Sequence, residues 1–408
     1  MTKTLPQYPF PATSPEEAVE AYHRLLEDRP MTKVTMPVGG DAWVIHRYEA
    51  ARQMLESPKF VRGPFARGEQ EPPYFVHYPD FLKTTIQMAD PPDHTRLRKL
   101  VAKAFTARRI AQLRDGTQRI ADELLDTMAA NGVPANLVAE FSLPLPIRVI
   151  SELLGVPLSD RDKFVEWSKS TLATSGMTEQ AIAQAGAELY LYLAELVTAR
   201  REEPRDDLLS ALAAARDEDD SLTDEEILRM AMVIIVGGFD NTANFINQGV
   251  VALLRNPEQL RVLLADIDGV VPTAVEEVLR HGFFAIGELV TGSGGLPPFL
   301  AAEDVEIDGV LVKKGEAVLI DPASTNHDPR EFENSGAFDV TRTPNRHLTL
   351  SHGVHHCLGA PLARMEMQVA LASLFKRFPT LQLAGEPQYA AEYLTAGMSM
   401  LPVKWRRP

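Results

Sequence analysis

From Ile110 to Leu212 the chain reads as one helix after another, broken only where Gly and Pro fall close together: Asn131-Gly132-Val133-Pro134, Gly155-Val156-Pro157 and Glu203-Pro204. Helices stop at such places because Pro cannot continue the hydrogen-bond ladder and Gly closes a helix end at low cost. Another run opens at Thr223-Asp224-Glu225-Glu226, a capping residue followed by acids. It continues through Ile227, Met230, Met232, Val233, Ile234, Ile235 and Val236 into Gly237-Gly238-Phe239-Asp240-Asn241-Thr242-Ala243-Asn244. The expected fold is mainly α. At 408 residues the chain is long for a single core, but compact one-domain enzymes reach this size.

The β-structure is expected to be small. Val34 to Ile45 alternates as a hairpin around Gly39-Gly40-Asp41, and Asp304 to Leu319 reads as strands turning at Asp308-Gly309 and Lys314-Gly315. A short helix is expected from Ser14-Pro15-Glu16-Glu17, and another from Arg47 to Leu55. Between Pro58 and Met88 periodicity is lost, the mark of a functional loop in a compact protein. Ser168 to Gln184 is small and polar between longer helices, which suits a lid.

A net charge of −15 argues against a nucleic-acid binder. The Pro-rich N-terminus, Met-Thr-Lys-Thr-Leu-Pro-Gln-Tyr-Pro-Phe-Pro, has no apolar run resembling a signal or membrane anchor. One cysteine rules out an intramolecular disulfide framework and fits a reducing cytoplasm, the expected location.

That cysteine, Cys357, sits in Leu348-Thr-Leu-Ser-His-Gly-Val-His-His-Cys-Leu-Gly-Ala-Pro-Leu-Ala-Arg364. Pro361 suits the first turn of a helix carrying Leu362, Met365, Val369, Leu371 and Leu374. A thiol just ahead of a helix start is near unpaired N–H donors, which favour thiolate. Gly353 and Gly359 would let a flat cofactor approach the backbone on either side of the sulfur. Taken alone, a lone cysteine is ordinarily a small buried hydrophobe.

Three further stretches stand out. His94 and Arg98, spaced i, i+4, share a helix face and could hold a pair of carboxylates or simply form a solvated basic face. Gly237-Gly238 and Asp240 interrupt an apolar helix, where each glycine costs about 1 kcal/mol relative to Ala and a buried acid needs a partner or a proton. Glu277 and Arg280 have the i, i+3 spacing of an ordinary helix ion pair.

The pattern His347-Leu…His352-Gly353-x-His355-x-Cys357-Leu358-Gly359, followed by Ala363-Arg364, resembles the haem-ligand loop of the cytochrome P450 family. The stretches at His94, Leu143–Gly155, Gly237–Asn244 and Thr273–Arg280 resemble the family too, so the likeness spans nearly the whole chain from about Arg47. It implies one domain over residues 1–408, a triangular helical prism with a small β-rich lobe near 30–60 and 283–325. It also implies haem b (iron protoporphyrin IX) with Cys357 as axial thiolate. His94, Arg98, His347 and His355 would hold haem propionates, and Gly359 would lie against the cofactor. Asp240 and Asn241 match the family's acid and threonine of the oxygen-binding helix, with an amide where the hydroxyl usually stands. Glu277, Arg280 and, downstream, Arg342 match a buried structural ion cluster.

Substrate would be lined by Phe65, Gln87, Met88, Val236 and Gly237. Later in the chain Phe283, Ala285, Ile286 and Met398 join that lining, Met398 at a hairpin tip in Tyr393–Met400. Three departures stand out: Leu350 and Ser351 replace the Phe and Gly that usually begin the haem loop, and Phe299 stands where a propionate-binding Arg is common. The activity implied is a ferredoxin- and ferredoxin-reductase-driven oxidation of a small molecule by O2, with no nucleic-acid or membrane partner. A single cysteine cannot hold an iron–sulfur cluster, so the electrons must come from separate proteins. The expected substrate is a secondary-metabolite scaffold, a tryptophan-containing cyclic dipeptide undergoing C–C or C–N coupling. The alternatives are terpene or macrolide hydroxylation and, in a different class, a haem-binding sensor.

Overall fold

The computed structural model describes residues 5–8, 29–75, 77, 80–171, 177–217, 220–285, 297–390 and 397–406. The chain divides into two compact units: Met1–Thr95 with Glu276–Cys357, and Arg96–Val275 with Leu358–Pro408.

The first unit is built on a five-stranded sheet. The hairpin Met31–Thr35 and Asp41–Ile45 pairs antiparallel, with Met31 opposite Ile45 and Thr35 opposite Asp41. Asp41–Ile45 then pairs parallel with Ala317–Ile320, which pairs antiparallel with Phe299–Ala301, which in turn pairs with Phe60–Val61. The turns expected at Asp308-Gly309 and Lys314-Gly315 are present, with positive φ at Asp308, Gly309 and Gly315. Helix Tyr48–Glu56 lays Tyr48, Ala50, Ala51, Met54 and Leu55 on one face of this sheet. Its Tyr48 amide donates to Asp328 at 3.0 Å and its phenol to the Arg346 carbonyl at 2.7 Å.

At the centre of this unit Arg280 and Glu277 are wholly buried. The guanidinium forms a two-pronged pair with Glu277 at 2.7 and 2.8 Å and donates to the carbonyls of Asn326, Ser335 and Ala337. Arg342 completes the cluster with a 3.1 Å bond to Glu277. The Asn326 side chain receives the Leu348 amide at 2.7 Å, and the Thr349 hydroxyl donates to the Leu279 carbonyl at 2.6 Å. The segment leading to Cys357 is thus hung from the ion cluster. A charge pair this deep repays its desolvation only because its remaining donors and acceptors are satisfied.

The second unit is helical: Ala107–Asn131, Pro144–Leu153, Arg161–Thr171, Glu179–Glu202, Asp224–Gly238, Asp240–Arg255 and Ala360–Arg377 are its main elements. The expected breaks occur, Gly132 closing the first of these and Glu203 ending Glu179–Glu202. Thr223 and Glu226 form a reciprocal capping box. The long helix Ala360–Arg377 buries Leu362, Met365, Val369, Leu371 and Leu374, and carries Pro361 in its first turn after Gly359.

One expectation changes here. The apolar run from Ile227 is not one helix through Asn244: it ends at Gly238 and restarts at Asp240. The supposed lid is helical at both ends, in Arg161–Thr171 and Glu179–Glu202, and its middle lies outside the described residues. A π-turn at Val138–Ser142, between Ala135–Asn136 and Pro144–Leu153, gives no periodic signal. The helix expected at Ser14 also falls outside the described residues. Among those residues, no helix is long and apolar enough to cross a membrane.

Candidate haem-thiolate site

Within the first unit, the stretch before Cys357 is a set of tight turns. The Ser351 amide donates to the Leu348 carbonyl and the Cys357 amide to the Leu350 carbonyl, both at 2.8 Å. Gly353 takes φ +65°, and a Cβ there would sit 2.5 Å from the Leu55 carbonyl oxygen, so only glycine fits. Ser351 takes φ +61°, a left-handed value costly for a side-chain-bearing residue. This explains why glycine suits that place and why serine is a real departure. The Ser351 hydroxyl is buried with no hydrogen-bond partner among the described residues. Cys357 is half-buried.

His355 lies with its ring centre 4.5 Å from that of His94, which is only 3 % exposed. Phe299 meets the His355 ring edge-on at 5.7 Å. His347 is engaged by Glu276, 3.2 Å from its Nε2, beside the Glu277 cluster. The structure therefore brings together His94 and His355, far apart in sequence, and holds His347 at the scaffold. Arg98, one turn beyond His94 on helix Asp93–Ala104, is half-buried.

In the second unit the notable place is the join between Asp224–Gly238 and Asp240–Arg255. Freed carbonyls there are taken by side chains one turn on: Asn241 Nδ2 donates to the Gly237 oxygen at 3.2 Å, and the Thr242 hydroxyl to the Gly238 oxygen at 2.8 Å. Such bonds compete with the regular ladder and bend helices. Asn241 is exposed, whereas Thr242 is buried with its hydroxyl committed. Gly237 is open, and a Cβ there would meet nothing within 4 Å; one on Gly238 would press Ile150 at 2.8 Å. Asp240 is 6 % exposed, and burial pushes its carboxyl up to about 7.

Of the expected substrate-lining residues, Phe65 and Met88 are fully buried, Gln87 and Val236 half-buried, and Met398 buried in strand Gly397–Met400. The side chains of Phe283 and Ala285, and Ile286 altogether, lie outside the described residues. Sequence reading passed over three residues. Arg62 lies with its guanidinium 3.8 Å over the Phe299 ring. Asn244 packs on Gly397. Glu366, buried among the apolar residues of Ala360–Arg377, has its carboxyl pushed well up by desolvation. Only Glu366 had a sequence signal, an acid between Met365 and Met367 on an apolar helix.

The cytochrome P450 family model matches residues 169–278 and 300–402. Mycinamicin IV hydroxylase/epoxidase of Micromonospora griseorubida is 43% identical over 410 residues, covering 99% of this chain and 100% of that protein. The chain belongs to the cytochrome P450 family. Nocardicin C N-oxygenase of Nocardia uniformis subsp. tsuyamanensis is 42% identical over 99% of this P450 and 100% of its own length. The solved structure of the mixed-function P450 MycG, a mutant in complex with mycinamicin V, superposes with a TM-score of 0.89 at 41% identity, covering 98% of this chain and 100% of that one. The P450 fold is therefore the fold of this chain, and the protein is an oxidoreductase of the monooxygenase type.

A P450 implies a haem cofactor, and the residues present suit one. Among the described residues no group of three or more His, Cys, Asp or Glu could hold a bare metal ion. A haem iron carries four of its ligands on the porphyrin, so the chain need supply only an axial one, a place that the Cys357 thiolate suits. Within the first unit, the half-buried thiol supplies a soft axial ligand and the paired imidazoles of His94 and His355 supply donors for the carboxylates of such a group.

Proposed function

We propose that this P450 oxidises a large natural-product scaffold of the macrolide class, taking its electrons from a ferredoxin and ferredoxin reductase. The observation that carries the reading is full-length likeness to a mycinamicin hydroxylase/epoxidase. The narrower expectation, coupling on a tryptophan-containing cyclic dipeptide, becomes a competing arm of the same experiment.

Cys357 would hold haem b through its thiolate, with His94 and His355 as donors to the haem carboxylates, while His347, bonded to Glu276, would stay with the scaffold. When bound, the haem supplies the iron that activates dioxygen. The chain's own part is proton handling. Asp240, poised near neutrality by burial, can take a proton from solvent and pass it on. Asn241, with its amide N–H tied to Gly237, keeps its carbonyl oxygen available to order a water.

Purified protein should show a ferrous–CO band of thiolate type that vanishes in Cys357→Ala. Macrolides, terpenes and aromatic cyclic dipeptides would then be titrated against the ferric Soret band. Each ligand that shifts it would be turned over with ferredoxin and reductase and its product identified. A macrolide giving a spectral shift and a hydroxylated or epoxidised product supports the reading. Shift and turnover only with cyclic dipeptides would replace it.

A further inference from the structure

Arg62 links the segments at Gln87, Asp90, Pro297 and Phe299, which lie beside the two paired imidazoles. It is 2 % exposed, so its guanidinium does not reach a ligand directly. One side-chain nitrogen donates to the Gln87 carbonyl and another to the Pro297 carbonyl, each at 2.9 Å. The guanidinium carbon lies 3.8 Å from the centre of the Phe299 ring, within the range of a strong cation–π contact. The backbone is held as firmly: the amides of Arg62 and Gly63 both donate to the Asp90 carboxylate, at 2.8 and 2.6 Å. A Cβ on Gly63 would lie 2.7 Å from that carboxylate, so the approach depends on glycine.

These contacts lead to the imidazoles by two routes. The Asp90 carbonyl accepts the His94 amide at 2.9 Å, so the Asp90 clasp sets the start of the helix that presents His94. On the other side Arg62 grips Pro297 and covers Phe299, and Phe299 meets His355 edge-on. His94 and His355 then close the circuit with rings 4.5 Å apart.

We propose that Arg62 is a positioning residue for haem binding: stacked on Phe299 and bonded to Gln87 and Pro297, it sets the mutual orientation of His94 and His355. The inference rests on the reading of those two histidines as holding the haem carboxylates. A planar, permanently charged fork suits the task, since it stacks and makes two divergent hydrogen bonds at once. Two imidazoles that must meet one anionic edge gain from being pre-set, because ordering them is no longer a cost of binding.

The test is the rate at which ferric haem passes from the loaded protein to excess apomyoglobin. Arg62→Leu and Phe299→Leu should each release haem at least tenfold faster than the parent, with Arg62→Lys between. In a His94→Ala/His355→Ala background, Arg62→Leu should change the rate by less than twofold, because its effect passes through those rings. An Arg62→Leu rate within twofold of the parent would overturn the proposal. So would an equal acceleration with and without the histidines, the sign of general destabilisation. Should Arg62→Leu fail to fold, Phe299→Leu, which leaves the cation and its two carbonyl bonds, decides on the same thresholds. A parent lacking the thiolate-type ferrous–CO band would instead remove the haem reading itself.

Discussion

Gly397 lies so close to the carboxamide of Asn244 that a Cβ at this position would overlap it. The strand Gly397–Met400 is therefore seated on helix Asp240–Arg255 by the absence of a side chain, next to buried Met398. Gly397→Ala should destabilise the protein by about 1–3 kcal/mol, the usual cost of overpacking. Asn244→Ala should restore most of that loss. Thermal unfolding of the two single variants and the double variant measures it, and an additive double variant would contradict the contact.

Asp240 is expected to make product formation pH-dependent. With its carboxyl held near 7 by burial, the acid form predominates below that pH and the carboxylate above it. Asp240→Asn should lower coupled turnover by about 10²-fold and erase an inflection near pH 7 in the parent's profile. Stability moves with the opposite preference. The folded protein keeps the proton up to about 7 while the unfolded chain gives it up near 3.8, so Asp240 costs stability as pH rises between those values. Denaturant unfolding at several pH values should show that loss in the parent and a flatter dependence in Asp240→Asn.

Asn241→Ala should raise uncoupled peroxide release more than it weakens substrate binding. The alanine removes both the bond to Gly237 and the carbonyl available to order water. Peroxide yield per NAD(P)H consumed is the measurement, and equal yields in variant and parent would exclude the role.

Ser351→Gly should stabilise the loop before Cys357 by about 1 kcal/mol, since the left-handed backbone at this residue suits glycine and the serine hydroxyl makes no bond to a described residue. A rise in Tm with an unchanged ferrous–CO band is expected. A fall in Tm would mean the hydroxyl has a partner worth more than the backbone cost.

Arg280→Met should destabilise the protein by about 3–5 kcal/mol, because it leaves Glu277 buried and releases three carbonyls. Glu277→Gln should cost less, as the amide oxygen can still accept. Denaturant midpoints compare the two, and Arg280→Met close to the parent would show that the cluster is not what holds the Cys357 segment.

The sequence by itself determined the features whose physics is local. The capping box at Thr223 and Glu226, the Gly-Pro helix ends, the i, i+3 pair of Glu277 and Arg280 and the turns at Gly309 and Gly315 each depend on residues within a few positions of one another. The thiol loop was legible through its resemblance to a family pattern carried in one unbroken run, since the lone cysteine by itself suggested only a small buried hydrophobe. Only the tertiary structure decided what depends on close approach between distant segments. Periodicity carried the helix from Ile227 past Phe239, but side chains of Asn241 and Thr242 took the carbonyls and broke it. Arg62 over Phe299, His94 against His355 and Asn244 on Gly397 have no signature in spacing, because each depends on where two remote backbones come to rest.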